Sequence, residues 1–313
     1  EHILADNGSS WVMKTVQIFL STYNGEKYIK EQLESLFKQQ GVRISILVRD
    51  DGSSDWTVDI LKRYQKEGKI RLVCGHNEGY ARSFLDLVKE DVSADYYAFC
   101  DQDDVWLPDK LINAVQMIES SNADDSRPVL YASALQRVDT HLNKLPIQDF
   151  KNLKLTLGAE FTRHRLAGCS FVFNNELRNL LKRSDGLKCS HDRLATLLCL
   201  ACGGTVLFDH NSYILFRRHG DNASPDGMSA RQKIMKDLRH YFHHENDAAG
   251  LASGVLQRYK DKLTGKSLKF LTSIADYRAN IIKTISLALD SQIDCGFWFF
   301  NIFVRSMIVL RLF

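Results

Sequence analysis

Short apolar runs, polar turns and helically spaced apolar stripes alternate along this chain. After Met13, Val16-Gln17-Ile18-Phe19-Leu20 has the length of a buried strand and Ser21-Thr22-Tyr23-Asn24-Gly25 is a polar turn, after which Tyr28, Leu33, Leu36 and Phe37 fall close to helical spacing. The unit then repeats. Residues 44–49 predict a strand, Asp50-Asp51-Gly52-Ser53-Ser54-Asp55 a turn and helix cap, and Val58, Ile60, Leu61 and Tyr64 a helix. A third strand is predicted over 70–73, a loop over 77–80, and a helix marked by Phe84, Leu85 and Val88. Residues 96–100 read as another buried strand, with a helical pattern starting at Pro108. Farther on, 129–133 and 168–173 predict strands, 176–181 and 191–200 helices, and 205–208 with 213–216 a closing pair of strands. The remainder is polar turn over 217–227 and then helical to the end.

Such alternation predicts an α/β fold whose mainly parallel, Rossmann-like sheet is flanked by helices, and ligands of such sheets bind outside the carboxyl ends of the strands. The turns at Thr22, Asp51 and Asp103 all fall at those ends. Cys100-Asp101-Gln102-Asp103-Asp104-Val105-Trp106-Leu107-Pro108-Asp109 is the most informative of them. Three carboxylates in four residues repel one another, so they lie either in open solvent, as a bland acidic turn, or against a cation.

With 44% hydrophobic and 25% charged residues in 313, the chain has the composition of an ordinary globular protein of one large or two smaller domains. Its net charge of +3 and its lack of Arg-rich or aromatic-interleaved stretches argue against a nucleic-acid partner. Charge is uneven, however: residues 231–313 carry 13 Lys and Arg against 7 Asp and Glu. Seven scattered cysteines point to reduced thiols and a cytoplasmic location. Cys199 and Cys202 form a C-x-x-C inside an apolar helical run with no second pair of ligands, which favours buried thiols over zinc. Residues 1–12 precede Met13 without an apolar core and are expected to be a remnant outside the fold.

Taken together, Ser21-Thr22-Tyr23-Asn24-Gly25, Asp50-Asp51-Gly52-Ser53-Ser54-Asp55, Asp101-Gln102-Asp103-Asp104-Val105-Trp106-Leu107-Pro108, Ser190-His191-Asp192 and Arg217-Arg218-His219-Gly220-Asp221-Asn222 resemble an inverting glycosyltransferase of family 2, with the GT-A fold. The wording is similar to the bacterial rhamnosyltransferase-like branch that builds surface polysaccharides. The resemblance implies a domain over 13–222, with 13–110 binding the nucleotide sugar and 111–222 carrying the acceptor and catalytic part, and a helical C-terminal extension over 223–313. It implies transfer of rhamnose or another hexose from a dTDP or UDP donor to a polysaccharide or lipid-linked acceptor. Asp51 then accepts a hydrogen bond from the pyrimidine base, Ser21, Tyr23, Asn24 and Gln102 line the donor pocket, and Asp101 meets the ribose or a metal-bound water. Asp103 and His219 hold Mg2+ or Mn2+, Arg217 lends positive charge to the departing phosphate, and Asp192 is the base. Asp50 is expected to be structural. After His191-Asp192 this chain reads Arg193-Leu194-Ala195, where the branch carries bulky tryptophans.

Two rival functions remain in view: a non-catalytic nucleotide-sugar-binding assembly partner, and a nucleotidyltransferase, which needs a glycine-rich basic loop that residues 21–25 do not offer. The apolar segment 295–313 has Arg305 in its middle and is short for a membrane span. It is left as a helix packed on its own domain, on a second subunit in a homo-oligomer, or on the inner face of the plasma membrane.

Overall fold

A computed structural model of the chain describes residues 3–4, 10–11, 13–147, 150–219 and 247–313. Among the described residues, strands β1 (Ile3–Leu4) and β2 (Ser10–Trp11) pair only with each other. The main elements then follow as β3 (Thr15–Thr22), α1 (Ile29–Leu36), β4 (Arg43–Asp50), α2 (Thr57–Lys66), β5 (Arg71–Cys74), α3 (Tyr80–Lys89), β6 (Tyr96–Cys100), β7 (Val105–Trp106) and α4 (Lys110–Ser120). After them come β8 (Val129–Val138), α5 (Leu157–Thr162), β9 (Val172–Asn174), α6 (Asn175–Lys182), α7 (His191–Ala201) and β10 (Thr205–Arg217).

Eight strands form one mixed, mainly parallel sheet in the order β5-β4-β3-β6-β9-β8-β10-β7. β3 lies parallel to both β4 and β6, while β9 is antiparallel to β6 and β8. Helices cover both faces, so central strands must be apolar on both sides, and all five residues of β6 are buried. One apolar layer holds Ile18, Leu33, Leu61 and Val115, and the other Phe19, Phe84, Phe173 and Leu198.

Three local readings need correction. The expected closing pair of strands is one long strand, β10, parallel to β8, with register shifts between Asp209 and Ser212 and again between Ser212 and Leu215. The polar Asp209-His210-Asn211 that reads as a turn is absorbed by bulging. The segment 168–173 is a 3-10 turn, Gly168–Ser170, followed by the short β9. Strand β7 sits inside the acidic motif, so the helix expected from Pro108 starts at Lys110.

Among the described residues four more helices follow: α8 (Ala248–Tyr259), α9 (Gly265–Asp276), α10 (Ile281–Leu289) and α11 (Trp298–Val309). Their inner residues Val255, Phe270, Ile274 and Val304 join the apolar cluster of Leu177, Leu194 and Leu198 on α6 and α7. The Tyr259 hydroxyl donates to the Leu180 carbonyl at 2.9 Å, and the Tyr277 hydroxyl to the Phe313 carbonyl at 2.6 Å. No described helix is long and apolar enough to cross a membrane.

Candidate active site

The predicted rim forms where β3, β4 and β6 end side by side, Thr22 opposite Asp50 and Leu20 opposite Cys100. The first two turns are stitched to each other and to the acidic motif. Gln102 clamps the backbone of Tyr23, accepting from its N–H at 2.9 Å and donating to its carbonyl at 3.1 Å. A Cβ on Gly25 would stand 2.2 Å from Gln102 Oε1, so a larger residue there would push Gln102 out of its clamp on Tyr23. Asn24, at φ +49°, donates its N–H to Ser53 at 2.8 Å, while its side chain accepts from Ser54 N–H at 2.8 Å. Ser21 donates to Ser83 at 2.7 Å. Tyr23 and Asn24 are exposed on the rim, whereas Ser21 and Gln102 are half-buried.

Asp50 is structural, accepting from Thr22 Oγ1 at 2.9 Å and from Ser53 N–H at 2.9 Å. Asp51 is buried, pairs with Arg49, and accepts the Glu78 and Gly79 N–H groups at 3.1 and 2.9 Å. An ionised carboxylate offers about four lone-pair sites. Three donors engage both oxygens, the Glu78 N–H reaching Oδ1 at 3.2 Å and Oδ2 at 3.1 Å.

The strongest convergence lies 116 residues apart in sequence. Antiparallel pairing of β7 with β10, Trp106 opposite Ile214, lays the acidic motif beside the end of β10. There His219 Nε2 meets Asp103 Oδ2 at 2.8 Å. The His219 ring also packs on Tyr28, centroids 5.1 Å apart. Arg217 departs from expectation. Its side chain is 2% exposed, donating to the Asp103 and Thr140 carbonyls at 2.8 Å each, pairing with Glu31 and stacking on Tyr28. Its own N–H donates to Asp104 Oδ1 at 3.1 Å. Arg217 is thus a clamp beneath Asp103, where the sequence suggested a direct phosphate contact.

Burial and the negative charges of Asp103 and Asp192 push the Asp101 pKa up to about 7. Burial, with Asp103 and Asp101 nearby, likewise raises that of Asp104, whose Oδ2 has no hydrogen-bond partner among the described residues. Asp101, Asp104 and Cys169 bring one ligand atom each within 4.8 Å. Carboxylates crowded this closely suit a hard divalent cation, and the Asp103–His219 pair belongs to the same acidic turn. Lys110, buried against the Trp106 ring at 3.7 Å, has its pKa lowered by burial to about 8.

Asp192 lies in the first turn of α7, where its carboxylate accepts the Arg193 N–H at 2.7 Å. Sequence reasoning missed what surrounds it. His164, just after α5, holds Glu160 at 2.6 Å through Nδ1 and faces Asp192 Oδ2 at 3.7 Å through Nε2. Burial disfavours its charge, but the two carboxylates overcome this and raise its pKa to about 10. Asp192 in turn is held ionised well below the usual carboxylate range: burial opposes this, and His164 and His191 outweigh it. The neighbouring His191 ring is buried against Phe84 and Phe99, and burial lowers its pKa to about 4. Tyr80, exposed, lies near Asp192 and Asp101, and burial of its hydroxyl together with those charges raises its pKa. A Cβ on Gly168 would meet His191 Nε2 at 2.5 Å and Asp192 Cβ at 3.2 Å, so the 3-10 turn presses on the base through a glycine. No motif spacing marks His164 or Glu160. The seven cysteines are free thiols, with Cys199 and Cys202 buried.

Comparison with known proteins speaks to the family and the fold. The model of "Glycosyl transferase family 2" matches residues 17–180, just over half of the chain. A dTDP-rhamnosyl transferase of Shigella flexneri is 39% identical over 111 residues, 34% of this chain and 38% of that protein. An uncharacterised glycosyltransferase of Rickettsia prowazekii is 26% identical over 90% of this chain and 87% of its own. Among solved structures, residues 1–349 of S. aureus TarS superpose with a TM-score of 0.58 at 17% identity, over 95% of this chain and 82% of that one. A mannosyltransferase from Pyrobaculum calidifontis, in complex with GDP-Man and Mn2+, gives 0.53 at 16% identity, over 95% and 86%. The chain belongs to glycosyltransferase family 2. It is a glycosyltransferase with the GT-A fold.

Proposed function

We propose that the protein is a metal-dependent inverting glycosyltransferase that moves rhamnose or another hexose from a dTDP or UDP donor to a glycan or lipid-linked acceptor in bacterial surface-glycan synthesis. One observation carries the reading: Asp103 and His219 meet at 2.8 Å on the rim, among carboxylates that reach Asp192. Asp103 and His219 would hold Mg2+ or Mn2+, and that cation, when bound, supplies positive charge to the leaving diphosphate. Arg217 keeps the Asp103 backbone in place. Asp51 accepts the base N3–H, with Ser21, Tyr23, Asn24, Gln102 and Asp101 around base and ribose. Asp192, kept ionised by His164, removes the acceptor proton as that oxygen attacks the anomeric carbon from the face opposite the diphosphate. Inversion follows from that geometry.

The dTDP-rhamnosyl transferase relative favours a pyrimidine donor and a deoxyhexose, and a teichuronic acid biosynthesis glycosyltransferase of Bacillus subtilis, 32% identical over 110 residues, favours a surface-glycan acceptor. The outward faces of the last two helices suit peripheral contact with the membrane. Titration calorimetry tests the metal site. Asp103→Ala should abolish the Mn2+-dependent part of donor binding; an unchanged Mn2+ response would remove Asp103 from the metal.

A further inference from the structure

Among the described residues, 14 large hydrophobic side chains are exposed, and nine of them lie on or beside α10 and α11. On α10, Ile281, Ile282, Ile285 and Leu289 fall within about 100° of one helical face. On α11, Trp298, Phe299, Ile302, Val309 and the adjoining Leu310 span about 120°. Both stripes face solvent while the opposite sides, through Leu287, Val304, Met307 and Ile308, pack on the core. Ile282 and Trp298 are each 76% exposed. Arg305 fixes the two helices together, donating to the Ala288, Asp290 and Ile293 carbonyls at the end of α10. Its charge thus serves the fold, and the stripes beside it are free of it.

What covers this surface can be argued from charge. Residues 248–313 carry nine Lys and Arg against four Asp. Lys283 on α10, Arg311 beyond α11, and Arg163, whose guanidinium stacks 4.1 Å from the Phe300 ring, are all exposed. A two-fold contact between copies would set basic groups against basic groups. An anionic bilayer instead attracts the same groups while taking in the aromatic and aliphatic stripes. The surface is also tied to the chemistry by one peptide step, because Arg163 stacks at its edge and the next residue, His164, faces Asp192 at 3.7 Å.

We propose that α10 and α11 seat the enzyme on an anionic bilayer, so that the acceptor reaching Asp192 is a glycan carried on a membrane lipid. The docking stands on the surface alone; the acceptor class rests on the transferase reading above. Co-sedimentation with phosphatidylcholine vesicles, with or without about one third phosphatidylglycerol, tests docking without donor or acceptor. The full chain should pellet with anionic vesicles, and Ile282→Glu with Ile302→Glu should cut the bound fraction about tenfold or more. Both side chains are exposed, so the thermal midpoint and donor binding of the double variant should stay unchanged. Lys283→Glu with Arg311→Glu should remove the preference for anionic over neutral lipid. Wild-type protein that stays in the supernatant, or a double variant that pellets equally, overturns the proposal. So does self-association in sedimentation velocity that Ile282→Glu with Ile302→Glu abolishes while vesicles bind nothing, since the surface is then an interface between copies. Asp192→Asn should pellet like wild type, so a failed transferase reading and a failed docking surface give different results.

Discussion

Asp192 owes its charge to His164, and that debt can be measured. General bases contribute about 10²–10⁴-fold to rate. Asp192→Asn should therefore lower transfer by about that factor while calorimetric donor affinity stays unchanged; full activity would remove it as base. His164→Gln deletes the cation beside the base. The acid limb of the kcat/KM profile should then move to higher pH by about one to three units, as expected for loss of a neighbouring opposite charge. Stability offers a second readout. The His164 pKa rises from its ordinary 6.5 to about 10, so its contribution is complete below 6.5 and is lost as pH climbs towards 10. The wild-type thermal midpoint should fall across that window, and His164→Gln should flatten the fall. A variant that kept both the acid limb and the slope would reduce His164 to packing. The motif-bearing residues, Asp51, Asp103, Asp192 and His219, were legible from sequence because each sits in a string of residue types tied to one chemistry. His164 and Glu160 were not, because a single His and Glu flanking the end of a short helix acquire meaning only once α5 is folded against α7.

Elements place these residues, and two short ones do most of it. Strand β7, only two residues long, converts an acidic turn into a partner for β10 and brings Asp103 to His219. Neither the strand nor its pairing could be read from the chain, since two residues carry no periodicity. The same limit hid β10, whose polar middle imitates a turn because bulges tolerate it. The other short element is the 3-10 turn at Gly168, which presses on His191 and Asp192 where no Cβ fits. His191 is walled by Phe84 and Phe99 and cannot retreat. Gly168→Ala should destabilise the fold by about 1–3 kcal/mol, the usual cost of overpacking. Chemical denaturation measures that cost. By moving Asp192, the substitution should also lower kcat more than it raises the KM for the donor; an equal loss in both would mean that the turn serves the donor pocket as well.

For the molecule as a whole, the mainly parallel sheet was legible because βα alternation is a long-range pattern repeated across half the chain. The C-terminal helices were legible as helices. Their division into a buried inner side and an exposed outer side needed the packing of Val304, Met307 and Ile308. Donor choice, on the reading above, is a property of the assembled rim, which carries Asp51 just after β4 and the Asp103–His219 pair beside the end of β10. A ligand that binds only the folded state stabilises it by about 2.7 kcal/mol at a hundred times its Kd, a rise of about 4 °C in the thermal midpoint of a chain this large. A panel of dTDP-, UDP- and GDP-sugars, each with and without Mn2+, should therefore give its largest rise with a dTDP- or UDP-sugar plus Mn2+. Asp51→Ala, by removing the acceptor for N3–H, should narrow the gap between pyrimidine and guanine donors, and Asp103→Ala should erase the Mn2+ increment alone. A dominant GDP response in the wild type would overturn the reading of Asp51 and leave that carboxylate as the anchor of the loop carrying Glu78 and Gly79. The transferase chemistry proposed at Asp192 would stand unchanged, because it depends on the start of α7 and the end of α5.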